Sequence, residues 1–185
     1  MISIISLWLP IVLSAVVVFV ASSVLHMVLK YHRSDLKGLA KEDQVMTALR
    51  DADIPPGEYI MPHCDDPKDA SSAEFLAKCE QGPVAMLNVM AGGYQMGRSL
   101  ALWFVYCLLI GIFAAYLTGR ALGPGAHYLD VFRFVGASAF GGYALALLQN
   151  SIWYKRAWVT TIKHMVDGLV YACLTAGVFG WLWPA

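Results

Sequence analysis

A few residues in this sequence have types and spacings that can do chemistry. His26 and His164 each lie near the same predicted end of a long apolar run, so antiparallel packing sets two imidazoles at similar depth. Imidazoles on facing helices are ligands for a b-type haem, although a porphyrin also needs a gap between those helices. His63, Cys64 and Cys79 offer nitrogen and sulfur donors to Zn²⁺, but a structural zinc site wants four well-spaced ligands and no CxxC pair is present. Asp167 is the one acidic residue inside an apolar run that sits beside a row of small residues. A charge near a bilayer centre costs at least ~2.5 kcal/mol, so such a carboxylate is either functional or locked to a partner. Lys163, one helical turn earlier, offers an i,i+4 contact, and Asp130 with Arg133 forms an i,i+3 pair at the opposite predicted end. His32 and His127 fall in connecting segments and show no ligand spacing.

Other chemistries lack their residues. There is no HExxH, GxSxG or paired-carboxylate spacing, and the glycine-rich Gly119–Gly125 turn lacks the Lys-Ser/Thr of a phosphate cradle. Thirteen Lys and Arg balance thirteen Asp and Glu, which excludes the basic surplus of a nucleic-acid binder.

The elements that must position these groups are set by apolarity. At 185 residues and 58% hydrophobic, the chain is too apolar for an ordinary soluble domain. A spanning helix needs roughly 20 mostly apolar residues, because every backbone polar group in hydrocarbon must be satisfied within the segment. Four windows meet that demand, residues 4–29, 99–118, 131–153 and 159–183, which predicts an all-α integral membrane protein built as an antiparallel four-helix bundle. The first window lacks a basic leader and carries Pro10, so it reads as a retained helix rather than a signal peptide. Eight Lys and Arg lie between Leu29 and Arg98 and three between Tyr154 and Lys163, against two between Gly119 and Arg133. By the positive-inside rule residues 30–98 face the cytoplasm and both termini face out.

Residues 30–98 read as a small α(+β) subdomain. A helix is predicted over Lys41–Ala52, stopped by Pro55-Pro56-Gly57, and a second begins at the Ser71–Glu74 capping box, carries Phe75, Leu76 and Cys79 inward and ends at Gly82-Pro83. Tyr59–Pro62 and Val84–Met90 are candidate paired strands, with Pro62 confining the first to an edge. The subdomain serves as a lid over helix ends or as a docking surface with Met86, Met90 and Met96 as adaptable contacts.

Small residues at four-residue spacing let helix backbones approach in lipid. The second window carries Cys107, Gly111, Ala115 and Gly119, the third Ser138, Gly142 and Ala146, and the fourth Gly168, Ala172, Ala176 and Gly180. The first window, with Val16-Val17-Val18, reads as the most lipid-facing. These ridges point to a non-catalytic polytopic protein, self-associated or an accessory subunit among other membrane subunits. The alternatives are a small transport or channel protein with Asp167 in a polar pathway, and an electron-transfer subunit with haem b on His26 and His164.

The stretches LHMVLKYHRSD, RALGPGAHYLDVFRF and SIWYKRAWVTTIKHMVDGLVYACLTAGVFGWLWP resemble a family of uncharacterised bacterial four-helix membrane proteins. That resemblance implies a bacterial inner-membrane location and carries over no activity, cofactor or site residue.

Overall fold

The computed structural model describes residues 2–93 and 95–185. The chain divides into two units, one formed by residues 1–36 with 95–185 and the other by 37–94.

The first unit is a helix bundle. A 3₁₀ turn at Ile4–Leu7 leads into α1 (Trp8–Ser23), which runs on through a π-helical turn at Val24–Val28. The other long helices are α4 (Met96–Ala121), α5 (Tyr128–Tyr143) and α7 (Trp158–Trp181), with a short α6 (Leu148–Ile152) after α5. Four segments, Ile4–Val28, Met96–Ala121, Tyr128–Ile152 and Trp158–Trp181, are long and apolar enough to cross a membrane. Contacts join α1 to α4, α4 to α5, α5 to α7 and α7 to α1, so the helices close a ring. The end holding the termini is tied by backbone bonds from Ile2 N to the Gly119 carbonyl and from Gly125 N to the Pro184 carbonyl.

Most of the small-residue ridges lie where the backbones meet. A Cβ on Gly111 would lie 3.5 Å from Ile11, and one on Gly119 would lie 3.2 Å from the Ile2 carbonyl oxygen, so this face of α4 is fitted to α1. On α7, Gly168, Ala172 and Ala176 are buried, and Gly180 backs onto the Tyr128 ring. The third ridge is displaced: α5 buries Val131, Val135, Ala139 and Tyr143, while Ser138 is only half-buried and Ala146 is exposed. Gly142 still matters, because a Cβ there would collide with the Ile110 side chain. Nor is the first span the most exposed. Its apolar window is 33% buried against 28% for the second and third, with Ile11, Ser14, Ala15, Val18 and Ser22 of α1 buried.

The third span is broken rather than continuous. The α-helix stops at Tyr143, Ala144 leaves helical geometry at φ −126° and ψ −51°, and a 3₁₀ turn at Leu145–Leu147 precedes α6. The Gly141-Gly142 pair supplies the weak point, as glycine pairs do in kinked helices. The Tyr106 hydroxyl donates to the Gly142 carbonyl at 2.6 Å, giving that group a partner at the break.

The second unit contains α2 (Glu42–Asp51), β1 (Gly57–Met61), α3 (Ala73–Gln81) and β2 (Ala85–Val89). The strands pair antiparallel from Gly57 opposite Val89 to Met61 opposite Ala85, so Pro62 falls just past the strand end. Ser72 rather than Ser71 caps α3, accepting from Phe75 N at 3.2 Å. Phe75 and Cys79 are half-buried but Leu76 is exposed, and none of the described residues of 37–94 is fully buried.

Candidate metal centre

Chemistry-bearing residues gather at the end of the bundle from which the chain departs toward residue 37. The π-helical turn carries His26, and π turns within α-helices are frequent at functional sites. Leu29 then turns extended, and a 3₁₀ hook at Lys30–Ser34 folds back toward the first turns of α7. That reversal brings Tyr31, His32 and Asp35 to Lys163, His164 and Asp167.

The carboxylates are the centres of the arrangement. Asp167, with its side chain 3% exposed, accepts from the Tyr31 hydroxyl on Oδ1 and lies 2.7 Å from His32 Nε2 through Oδ2. Asp35 lies 2.6 Å from His32 Nδ1, so both ring nitrogens of His32 face carboxylate oxygens. Lys163 Nζ donates to the Tyr31 carbonyl and Ser34 Oγ, both at 2.8 Å, and to Asp35 Oδ1 at 2.9 Å. Burial would raise the Asp35 carboxyl, but hydrogen bonds from His32 and Lys163, with their charges, hold it below the ordinary carboxylate range. His164 Nε2 is 3.5 Å from Asp35 Oδ2, and His26 Nε2 is 4.0 Å from Asp167 Oδ2.

The three imidazoles form a triangular cluster. Ring centroids lie 4.2 Å apart for His26 and His32, 4.8 Å for His32 and His164 and 5.6 Å for His26 and His164. One ligand atom from each of His26, His32, His164 and Asp167 lies within 4.8 Å of all the others. Among the described residues this is the one such group of three or more His, Cys, Asp or Glu donors. Zinc bonds of 2.0–2.1 Å put tetrahedral ligand atoms about 3.3 Å apart, so closing this set on an ion takes movements of about 1.5 Å or less.

The residues anticipated from sequence are sorted unequally by this geometry. His26, His164 and Asp167 come together. The two histidines do not oppose one another across a gap, however, because their rings are stacked at an interplanar angle of 24°. Lys163 does not pair with Asp167, since the hook takes its ammonium. The Arg133–Asp130 pair forms at 3.4 Å on an exposed surface. In the 37–94 unit, His63 lies 3.4 Å from Asp65, Cys64 donates to the Asp66 carbonyl and Cys79 is a free thiol, and these three make no cluster of metal donors. Elsewhere in the bundle Tyr143 is buried in an apolar cluster, Gln149 is exposed and the Asn150 carbonyl accepts from Arg156 N.

His32, Tyr31 and Asp35 were invisible as site residues because they lie in a link. The one shared pattern is weak: His32-Arg33-Ser34-Asp35 and His164-Met165-Val166-Asp167 are both H-x-x-D, but so are His63–Asp66 and His127–Asp130, which lie outside the site. In the fold the histidine of each of the first two motifs faces the other's aspartate, at 2.7 Å and 3.5 Å. No family model matches the chain, and no curated protein or solved structure matches it.

Proposed function

We propose that this chain is a multi-pass membrane protein that holds one divalent transition-metal ion of the zinc type on His26, His32, His164 and Asp167. The observation that carries the reading is the convergence of those three imidazoles and a carboxylate within 4.8 Å. Three nitrogen donors and one oxygen suit zinc-like ions and not the all-oxygen preference of Ca²⁺ or Mg²⁺. Four protein ligands fill a tetrahedral site, which favours holding an ion over turning over a substrate. The ligands come from the end of the first span, the hook and the start of the fourth, so a bound ion would cross-link them. A bare ion fits better than haem b, because stacked rings leave no porphyrin-sized slot between them.

The proposed setting is a bacterial inner membrane with the hook and 37–94 on the cytoplasmic side, following the Lys and Arg distribution. Within it the chain acts as an accessory subunit or self-associates. Support comes from the 37–94 unit, where Leu76, Met86 and Met90 are open while ten acidic residues outnumber five basic ones. An apolar surface with an acidic surplus suits a protein partner better than an anionic lipid surface.

A transport role is the second reading, favoured by the helix break beside Gly168, since discontinuous helices line transporter sites. Opposing it, Leu7, Ile11, Val131, Val135 and Phe179 close the bundle toward the termini with apolar side chains.

The test is metal analysis of the protein purified in mild detergent, loaded with Zn²⁺ and examined by native mass spectrometry. One ion per chain is expected, abolished in a His26→Ala/His164→Ala double variant and accompanied by no Soret band. Absence of stoichiometric metal, or equal retention by the double variant, overturns the proposal.

A further inference from the structure

The metal reading leaves Asp35 and Lys163 without a part, although neither is casually placed. We infer that Asp35 is the positioning residue of the ion site, acting through His32, and that Lys163 holds Asp35 for that task. The inference rests on the proposed metal site and specifies which residues orient its ligands for the ion.

An imidazole can ligate through either nitrogen, and its other nitrogen decides which. A carboxylate can only accept, so the Asp35 oxygen 2.6 Å from His32 Nδ1 fixes the proton on that nitrogen. By the same rule Nε2, turned to the interior 2.7 Å from Asp167, meets that carboxylate through a hydrogen bond, which an ion entering between them would replace with release of the proton. A carboxylate behind a metal-binding histidine sets the ring's orientation and raises its basicity. Asp35 is also well placed toward a second ligand, with the same oxygen 3.5 Å from His164 Nε2.

Lys163 completes the device. An ammonium has three donors, and all three are taken, by the Tyr31 carbonyl, Ser34 Oγ and Asp35 Oδ1. One turn from Asp167, this lysine is the natural counter-ion for that carboxylate, and with it in place no second cation would be needed. The hook removes it. Asp35 takes the ammonium, and Asp167 is left facing Tyr31 and histidine nitrogens.

The experiment measures Zn²⁺ affinity of the full-length protein in detergent by competition with a chromophoric chelator, together with visible spectra of the Co²⁺-loaded form. Asp35→Asn is expected to weaken Zn²⁺ by about 10–100-fold while keeping one ion per chain, with altered Co²⁺ bands. Asp35→Glu is expected to recover part of that affinity, which a purely structural role would not require. Lys163→Met, which keeps the carboxylate but frees it, provides the second measure, with a loss of about tenfold expected. Wild-type affinity and Co²⁺ bands in Asp35→Asn overturn the positioning role while leaving the metal site standing. If Asp35→Asn does not survive purification, unchanged affinity in Lys163→Met overturns it instead. A wild-type protein that takes up no Zn²⁺ removes the site and this inference together.

Discussion

The two ends of the bundle are built on opposite principles. Toward the termini, Leu7, Ile11, Ala114, Ala115, Val131, Val135, Ala176 and Phe179 form one buried apolar cluster, and its charged neighbours Asp130 and Arg133 stay on the surface. Toward the hook, a carboxylate is buried and held by polar partners, Tyr31 and His32, which are held in turn by Asp35 and Lys163. Close packing of the first kind yields stability that is tolerant of chemistry, since any apolar group of the right volume serves. A buried polar network behaves differently, because one missing member strands the rest. Stability and chemistry are thus located at different ends, which makes them separable by mutation.

The largest separation is expected from Phe179→Ala. It empties a fully buried ring site and should cost about 3–5 kcal/mol in unfolding from detergent, while Zn²⁺ affinity of the folded fraction stays as in the wild type. The mirror experiment is His32→Ala. It should weaken Zn²⁺ by more than about 100-fold, equivalent to about 2.8 kcal/mol, with the helix content measured by circular dichroism unchanged. Equal damage to both properties by either variant would erase the contrast between the ends.

Glycine contacts sharpen it further. A Cβ on Gly168 would lie 2.9 Å from the Ala144 Cβ and 3.0 Å from the Tyr143 carbonyl oxygen, whereas the nearest atoms to one on Gly180 belong to the Tyr128 ring, at 2.6 Å. Backbone cannot swing aside and a ring can, so Gly168→Ala should cost about 1–3 kcal/mol and Gly180→Ala less, read as thermal midpoints. The smallest effect belongs to Arg133→Ala. Its ion pair is exposed at 3.4 Å, and removal should change stability by less than about 1 kcal/mol, with the change shrinking as salt is raised.

What could be read from the sequence follows the same division. Apolar run length is a property of contiguous residues, so the four long helices were predictable, as were the two paired strands of 37–94 and the ridge from Cys107 to Gly119. Asp167 was legible as an anomaly for the same reason, being acidic where its neighbours are not. Its partners were not legible, because the hook is defined by a chain reversal that no periodicity announces. Tyr31, His32 and Asp35 lie more than a hundred residues from Asp167 in sequence, and only tertiary structure makes them neighbours. The break at Ala144 was missed because an apolar window scores the same whether the helix within it is whole or kinked.

That break has a mechanical consequence. Its upper side, α5, is packed along α7 and α4, but α6 below it is fastened chiefly to α7, through the Ser151 to Thr161 hydroxyl bond at 2.7 Å. The joint itself bears on Gly168, the residue after Asp167. The third span is therefore two struts with a hinge between them, and the lower strut belongs with the fourth span, so that α6 and the first turns of α7 form a single lever whose fulcrum lies beside the buried carboxylate.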